Sequence, residues 1–358
     1  MSIRRVPVAL AERTYEVVVG AGATAEFETV VGPKVRRMAI VTQASIERSS
    51  ASVAAVLEHI ETVAQARGIL TVRLHVPEDE HGKSLATVED LCRSFAATGL
   101  TRQDLVVAVG GGLVCDVAGF AAAVWHRGTP VVHVATTLLA MVDAAIGGKT
   151  AVNLPDGKNL VGAFWQPAAV ICDLDVLESL PERERRCGLG EVAKYHFLTG
   201  ADLLAMSLDE RIAACASIKA GIVAEDEREG GRRALLNYGH TLAHALETVG
   251  DHDLAHGEAV AVGLIFAAHL AEALGRIDAA RVAYHEHVVG GTYGLRTRPP
   301  GGLDADEVLR VMAKDKKALD GLTFVLDSRH GLEVVPDIDP DVVRTVLMAF
   351  LAHSDGTR

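Results

Sequence analysis

The feature that most restricts the fold is a series of short apolar runs in the first half of the chain. Met38-Ala39-Ile40-Val41, Asp104-Leu105-Val106-Val107-Ala108-Val109 and Pro130-Val131-Val132-His133-Val134 are short and rich in β-branched residues. A continuous apolar run of this length buries both faces, as a strand does in a parallel sheet covered by helices on each side. Helical spacing occupies 52–65 and 84–97, the second opened by Ser84 as an N-cap. Leu70–His75 predicts a further strand, and Val6–Val19 predicts two short strands around the polar break Ala11-Glu12-Arg13. Alternating strand and helix predicts an α/β domain with a parallel, doubly wound sheet over residues 1–180.

Beyond Leu180-Pro181-Glu182 the texture changes to Ala, Leu, Glu and Arg at helical spacing, with few β-branched runs. A mainly α-helical second domain is expected over 181–358, and 358 residues suit about two domains. A cleft between two such domains is the default ligand site.

Composition excludes several function classes. The content is 49% hydrophobic and 23% charged, which is globular, and the net charge of −12 argues against non-specific nucleic-acid binding. No run of about 18 apolar residues is present, so no membrane span is expected. The opening Met1-Ser2-Ile3-Arg4-Arg5 meets charge and Pro7 before an apolar stretch forms, so no signal peptide is expected. Cys92, Cys115, Cys172, Cys187 and Cys215 are scattered and without CxxC spacing, as expected of buried thiols in a reducing cytoplasm.

The chemistry concentrates in Leu236–Glu247 and its echo Ala255-His256-Gly257-Glu258. Residues 239–248 predict a helix, on which His240 and His244, four apart, share one face. A third imidazole, His256, follows the polar turn Gly250-Asp251-His252-Asp253. Two His on one helical face with another ligand nearby suit Zn²⁺ or a related divalent ion. Thr241 stands where a zincin helix carries Glu, and a chance pair among 15 His is the bland alternative. Spacing leaves open which of His240 and His244 would bind. Glu191, in Gly188-Leu189-Gly190-Glu191-Val192-Ala193-Lys194, is either an acidic ligand or a partner of its helix dipole.

The strand ending at Val109 runs into Gly110-Gly111-Gly112 and then a helix, a turn that lets backbone N–H groups approach a pyrophosphate. It is not GxGxxG, so a nucleotide is favoured but not established, and the alternative is a tight strand-to-helix turn, which a parallel sheet needs anyway. Gly82-Lys83-Ser84 and Gly148-Lys149-Thr150 resemble the end of a P-loop, but Pro77 and Asp143 replace its leading glycine. Cations recur in Gly- and Asn-rich surroundings: Arg127, Lys149, Lys158 beside Asn159, Lys194, Lys219 and Arg233, with Lys316 and Lys317 further on. As a group they point to an anionic ligand, whereas any one of them singly reads as a solvated surface charge.

Together these motifs resemble the 3-dehydroquinate synthases, within the sugar-phosphate cyclases. The resemblance covers nearly the whole chain and is strongest over Gly110–Lys194, including Thr136-Thr137-Leu138-Leu139-Ala140-Met141-Val142-Asp143 and Gly147-Gly148-Lys149-Thr150-Ala151-Val152-Asn153. It resumes at Asp226-Glu227-Arg228-Glu229 and Leu236–Glu258. It implies a Rossmann-like N-terminal domain binding NAD and a helical C-terminal domain carrying a divalent metal, zinc or cobalt, in a homodimer. By matching positions it implies Glu191, His240 and His256 as metal ligands, with His244 facing substrate. It implies Glu80, Lys83, Gly111, Gly112, Asp116, Thr136 and Thr137 at NAD. Substrate would meet Asp143, Lys149, Lys158, Asn159, Lys194, Lys219, Arg233, Asn237, His244 and Lys316, with Arg127 reaching across a dimer interface.

The implied reaction converts 3-deoxy-D-arabino-heptulosonate 7-phosphate to 3-dehydroquinate and phosphate, with NAD⁺ borrowing a hydride and returning it. Competing readings are a sister cyclase acting on sedoheptulose 7-phosphate, a metal-dependent alcohol or glycerol dehydrogenase, and a non-catalytic NAD-binding relative. Three features depart from the family pattern: Gln43 where an acidic residue is common, His196 where Gly is common, and a short segment from Lys194 to Lys219.

Overall fold

The computed structural model describes residues 3–249, 254–315 and 322–354. Lys316, Lys317 and the turn Gly250–Asp253 lie outside the described residues. The chain forms two compact units: Met1–Pro181 with Ser207–Arg228, and Glu182–Met206 with Glu229–Arg358.

In the first unit the strands are β1 (Arg4–Val8), β2 (Tyr15–Gly20), β3 (Arg37–Thr42), β4 (Leu70–His75), β5 (Leu105–Gly110), β6 (Val131–Ala135), β7 (Lys149–Leu154), β8 (Gly157–Phe164) and β9 (Ala169–Asp173). Seven form one sheet in the order β1-β2-β9-β6-β5-β3-β4, parallel throughout except for the antiparallel pair β1–β2. Every residue of β5, β6 and β9 is buried, as continuous apolar runs in a covered sheet require. Helix 51–66 is opened by the Ser50 hydroxyl accepting from Val53 N–H. Helix 85–98 is opened by Ser84 accepting from Thr87 N–H and closed by Gly99 at φ +67°.

In space β4, β3, β5, β6 and β9 stand side by side, so successive connections reverse direction between β3 and β5. Ligands of such sheets bind outside the carboxyl ends of the strands at that reversal. Gly110–Gly112 ends β5 and Gln43 follows β3, so both lie there.

β7 and β8 form a separate antiparallel hairpin that the sequence does not announce. Their alternation is blurred by Lys149, Asn153, Lys158 and Asn159, and the close pairing depends on Gly162. A Cβ there would stand 2.1 Å from the Thr150 carbonyl oxygen. Helix Leu208–Glu225 returns to this unit and packs on β1, β2 and the turn Ala140–Ala144.

The second unit is helical, with Glu182–Thr199, His240–Thr248, His256–Ala273, Ala279–Glu286, Ala305–Asp315 and Pro340–Leu351. Helix 256–273 is buried almost all round, as its composition (Val, Leu, Ile, Ala, Gly and Phe) demands. Helices 182–199, 240–248, 279–286 and 340–351 pack around it. A short antiparallel pair, β10 (Leu322–Leu326) and β11 (Glu333–Ile338), adds to the expected helices.

Candidate functional site

Three helices of the second unit bring Glu191, His240 and His256 together, with one ligand atom from each within 4.8 Å of the others. Glycines beside the three residues make this possible. A Cβ on Gly190 would meet the Gly257 carbonyl oxygen at 2.3 Å, and one on Gly257 would meet the Cys187 carbonyl oxygen at 1.8 Å. A Cβ on Gly263 would meet the Gly239 carbonyl oxygen at 2.0 Å. The helices therefore cross with their backbones in contact, and Glu191, His256 and His240 sit at those crossings.

Glu191 is fully buried. Its Oε1 lies 3.3 Å from His240 Nε2 and 3.4 Å from His256 Nε2, and its Oε2 contacts Lys194 Nζ. Among the described residues neither oxygen has a hydrogen bond of good geometry. Ligands bound at about 2.0–2.1 Å to a tetrahedral ion stand about 3.3–3.4 Å apart. The spacing around Glu191 Oε1 therefore fits a shared divalent cation, and a buried carboxylate with poorly satisfied oxygens calls for one. Burial opposes the charge on Glu191, but Lys194 and His240 hold its carboxyl well below the usual range. Burial pushes the His240 imidazole down, keeping it in the neutral form a metal requires.

The outer nitrogens are oriented too. His240 Nδ1 lies 3.1 Å from the Tyr238 carbonyl oxygen, and His256 Nδ1 lies 3.2 Å from Glu247 Oε2. Burial works against a charge on His256, yet contacts with Glu191 and Glu247 push it up to about 10, so a cation binding there would displace a proton from it. Glu247 and Tyr238 escape a sequence reading aimed at ligands. Glu247 was detectable only as the residue seven after His240, on the same helix face. His244 is half-buried, its ring 5.6 Å from that of His240, and it offers no atom to the cluster. Of the two histidines that spacing left open, His240 is the one whose nitrogen stands beside Glu191 and His256.

Lys194, 1% exposed, belongs to this cluster, and Arg233 is fully buried in the same unit. Asn237 donates from Nδ2 to Glu229 Oε1 at 2.8 Å.

The first unit gathers the residues expected at a nucleotide. Gly111 precedes helix Gly112–Val124 and, as a glycine, supplies no side-chain cap, so the helix's first N–H groups face the position an anion would take. A Cβ on Gly111 would meet Thr137 Cγ2 at 3.0 Å, and Thr136 N–H donates to Gly110 O. Lys83 Nζ pairs with Asp116 Oδ2 at 2.6 Å, though burial still leaves the Asp116 carboxyl above its usual value. Asn153 donates to Glu80 Oε1 at 2.7 Å and accepts from Asn159 N–H at 2.8 Å. Lys219, buried, donates to the Asp143 carbonyl at 2.7 Å and pairs with its carboxylate at 2.9 Å. Arg127, Lys149 and Lys158 are exposed. Gln43 donates to the carbonyls of Pro77 and Glu78.

Residues 73–187 match the family described as 3-dehydroquinate synthase N-terminal, and 188–318 the one described as 3-dehydroquinate synthase C-terminal. A "Putative aminodehydroquinate synthase" of Amycolatopsis mediterranei (strain S699) is 51% identical, covering 96% of this chain and 93% of its own length. A 3-dehydroquinate synthase of Nitrobacter winogradskyi is 41% identical, covering 98% and 96%. A crystal structure of 2-deoxy-scyllo-inosose synthase with carbaglucose-6-phosphate, NAD⁺ and Co²⁺ superposes with a TM-score of 0.87 at 26% identity, covering 98% and 100%.

Proposed function

Because the chain belongs to the 3-dehydroquinate synthase family, we propose that it converts 3-deoxy-D-arabino-heptulosonate 7-phosphate to 3-dehydroquinate and phosphate, as a phosphate-eliminating lyase. The observation that carries this reading is the Glu191–His240–His256 cluster, its carboxylate fully buried, with Lys194 against it. The 2-deoxy-scyllo-inosose synthase with NAD⁺ and Co²⁺ supports the same cofactor pair here. When bound, NAD⁺ would accept and return a hydride, and a divalent ion held by Glu191, His240 and His256 would polarise the reacting alcohol and ketone.

The chain's own residues would bind and orient. Gly111, Gly112 and the uncapped helix N-terminus would take the dinucleotide phosphates, with Thr136 and Thr137 beside them. Glu80, Lys83 and Asp116 would line the rest of that site. By family position Asp143, Lys149, Lys158, Asn159, Lys194, Arg233, Asn237 and His244 would bind substrate, as would Lys219, which Asp143 holds. Arg127 would serve the partner's site in a homodimer, and Lys316 is retained in the substrate set by family position. A buried guanidinium such as Arg233 suits a carboxylate, which costs several kcal/mol to bury unpaired.

The 51% identity to the Amycolatopsis protein favours a second reading, in which the substrate is an amino-bearing analogue of the same sugar acid phosphate. Phosphate release from purified protein decides between them. The first reading expects the heptulosonate phosphate to be turned over with only catalytic NAD⁺ and no NADH accumulating. Faster turnover of the amino analogue would transfer the assignment to the second. Comparable turnover of sedoheptulose 7-phosphate would move it to the sister cyclases, and stoichiometric NADH would reject cyclisation altogether.

A further inference from the structure

His240 presents Nε2 to Glu191 and Nδ1 to the Tyr238 carbonyl oxygen at 3.1 Å. A carbonyl only accepts, so Nδ1 carries the proton and Nε2 keeps the lone pair a cation needs. The aim of His240 thus depends on the Tyr238 carbonyl. That peptide is held on two sides. Gly239 follows it in a left-handed turn at φ +80°, packed so closely that a Cβ would stand 2.9 Å from the Leu264 nitrogen. The Tyr238 side chain, wholly buried, ends 2.8 Å from His285 Nε2.

The orientation of His285 follows from its other nitrogen. Nδ1 lies 2.8 Å from the Arg281 carbonyl oxygen and must donate to it, so Nε2 is the acceptor and the Tyr238 hydroxyl the donor. His285 is completely buried and burial pushes its imidazole down to about 4, so it stays neutral at pH 7. Its ring stacks on Phe197, centroids 4.1 Å apart and 5° from parallel. Asp327, 1% exposed, lies 3.7 Å from His285 Nε2, too far for a hydrogen bond, and instead accepts from Arg281 Nε at 2.6 Å. This anchors the helix turn whose carbonyl orients His285.

We propose that His285 is a positioning residue for the metal centre: by anchoring Tyr238 it fixes the peptide that sets the tautomer and aim of His240. The inference rests on the proposed metal role of Glu191, His240 and His256. Partners beyond the ligands change metal affinity by about 10- to 100-fold, and a role relayed through one further side chain belongs at the lower end.

The test uses the full chain stripped of metal by a chelator and titrated with Co²⁺ alone, reading both affinity and the visible absorption of the bound ion. Tyr238→Phe removes one oxygen atom, and His285→Leu removes the acceptor. Each is expected to weaken Co²⁺ binding by about tenfold and shift the absorption, and the double variant is expected to lose no more than either alone. His285→Gln, which restores an acceptor for the hydroxyl, is expected to recover most of the affinity. If His285→Leu does not fold, Tyr238→Phe decides alone. A Tyr238→Phe protein with wild-type Co²⁺ affinity and spectrum, whatever its melting temperature, overturns the proposal and leaves the cluster purely structural. Failure of the wild type to bind Co²⁺, or undiminished binding by His256→Ala, overturns the metal reading itself.

Discussion

At the scale of single residues, His256 takes the place beside Glu191 and His240 that a bare i, i+4 pair would give to His244. His240 and His244 share a helix face, yet the second imidazole beside the Glu191 carboxylate is that of His256, from a different helix. The consequence is measurable as bound metal per chain. His256→Ala is expected to fall well below one equivalent, because two ligands and water hold a divalent ion far less firmly than three. His244→Ala is expected to keep full metal while losing activity. Metal retained by His256→Ala and lost by His244→Ala would reverse the assignment.

Among the elements, the crossings of helices 182–199, 240–248 and 256–273 set the ligand spacing. Such backbone contact tolerates no side chain, so Gly257→Ala must push apart helices 182–199 and 256–273. Overpacking a filled interior costs about 1–3 kcal/mol or more, and here the obstacle is backbone, with no rotamer to relieve it. The expected outcome is a melting temperature lower by several degrees and loss of metal affinity together. Gly275→Ala, at a helix end with φ +67° and nothing within 4 Å of its Cβ, is expected to lower stability modestly through its backbone angle while sparing metal affinity. Equal metal affinities in Gly257→Ala and wild type would show that the crossing does not set the site.

For the molecule as a whole, two buried imidazoles, one in each unit, contribute to the loss of stability in acid. Burial pushes His133 and His285 each down to about 4, while the unfolded chain keeps them near 6.5. Their contribution is complete above pH 6.5 and is lost as pH falls from there towards 4, where only the unfolded chain takes up the protons. The slope is about 1.4 kcal/mol per pH unit for each group in that window. Thermal melting is therefore expected to decline between pH 6.5 and 5, before the carboxylates titrate. His133→Leu should flatten the slope, since His133 sits on β6 with its Nδ1 lacking a partner among the described residues. An unchanged slope would assign the acid response to other groups.

The sequence alone determined the strands and helices whose periodicity is unbroken. Runs such as 105–109 and 131–134, short and rich in β-branched residues, fit a strand in a covered sheet, where both faces are buried. Ser84 and Gly99 mark a helix through groups that act on their immediate neighbours. The sequence also held the residue types of the candidate site, because Gly–His–Thr–x–x–His and Gly–x–Gly–Glu are local strings. Only the tertiary structure decided what depends on distant pairings. The β7–β8 hairpin is polar and half-exposed, so its pattern is weak and its pairing rests on Gly162 fitting against Thr150. Helix 208–225 carries the same Ala- and Leu-rich texture as the second unit but joins the first, through its packing on β1 and β2 and the Lys219–Asp143 pair. That His240 and not His244 stands beside Glu191 and His256, and that Tyr238 meets His285, depends on which side chains meet across separate helices. Periodicity encodes which face of an element is buried, and contact between faces far apart in sequence is settled only when the chain packs.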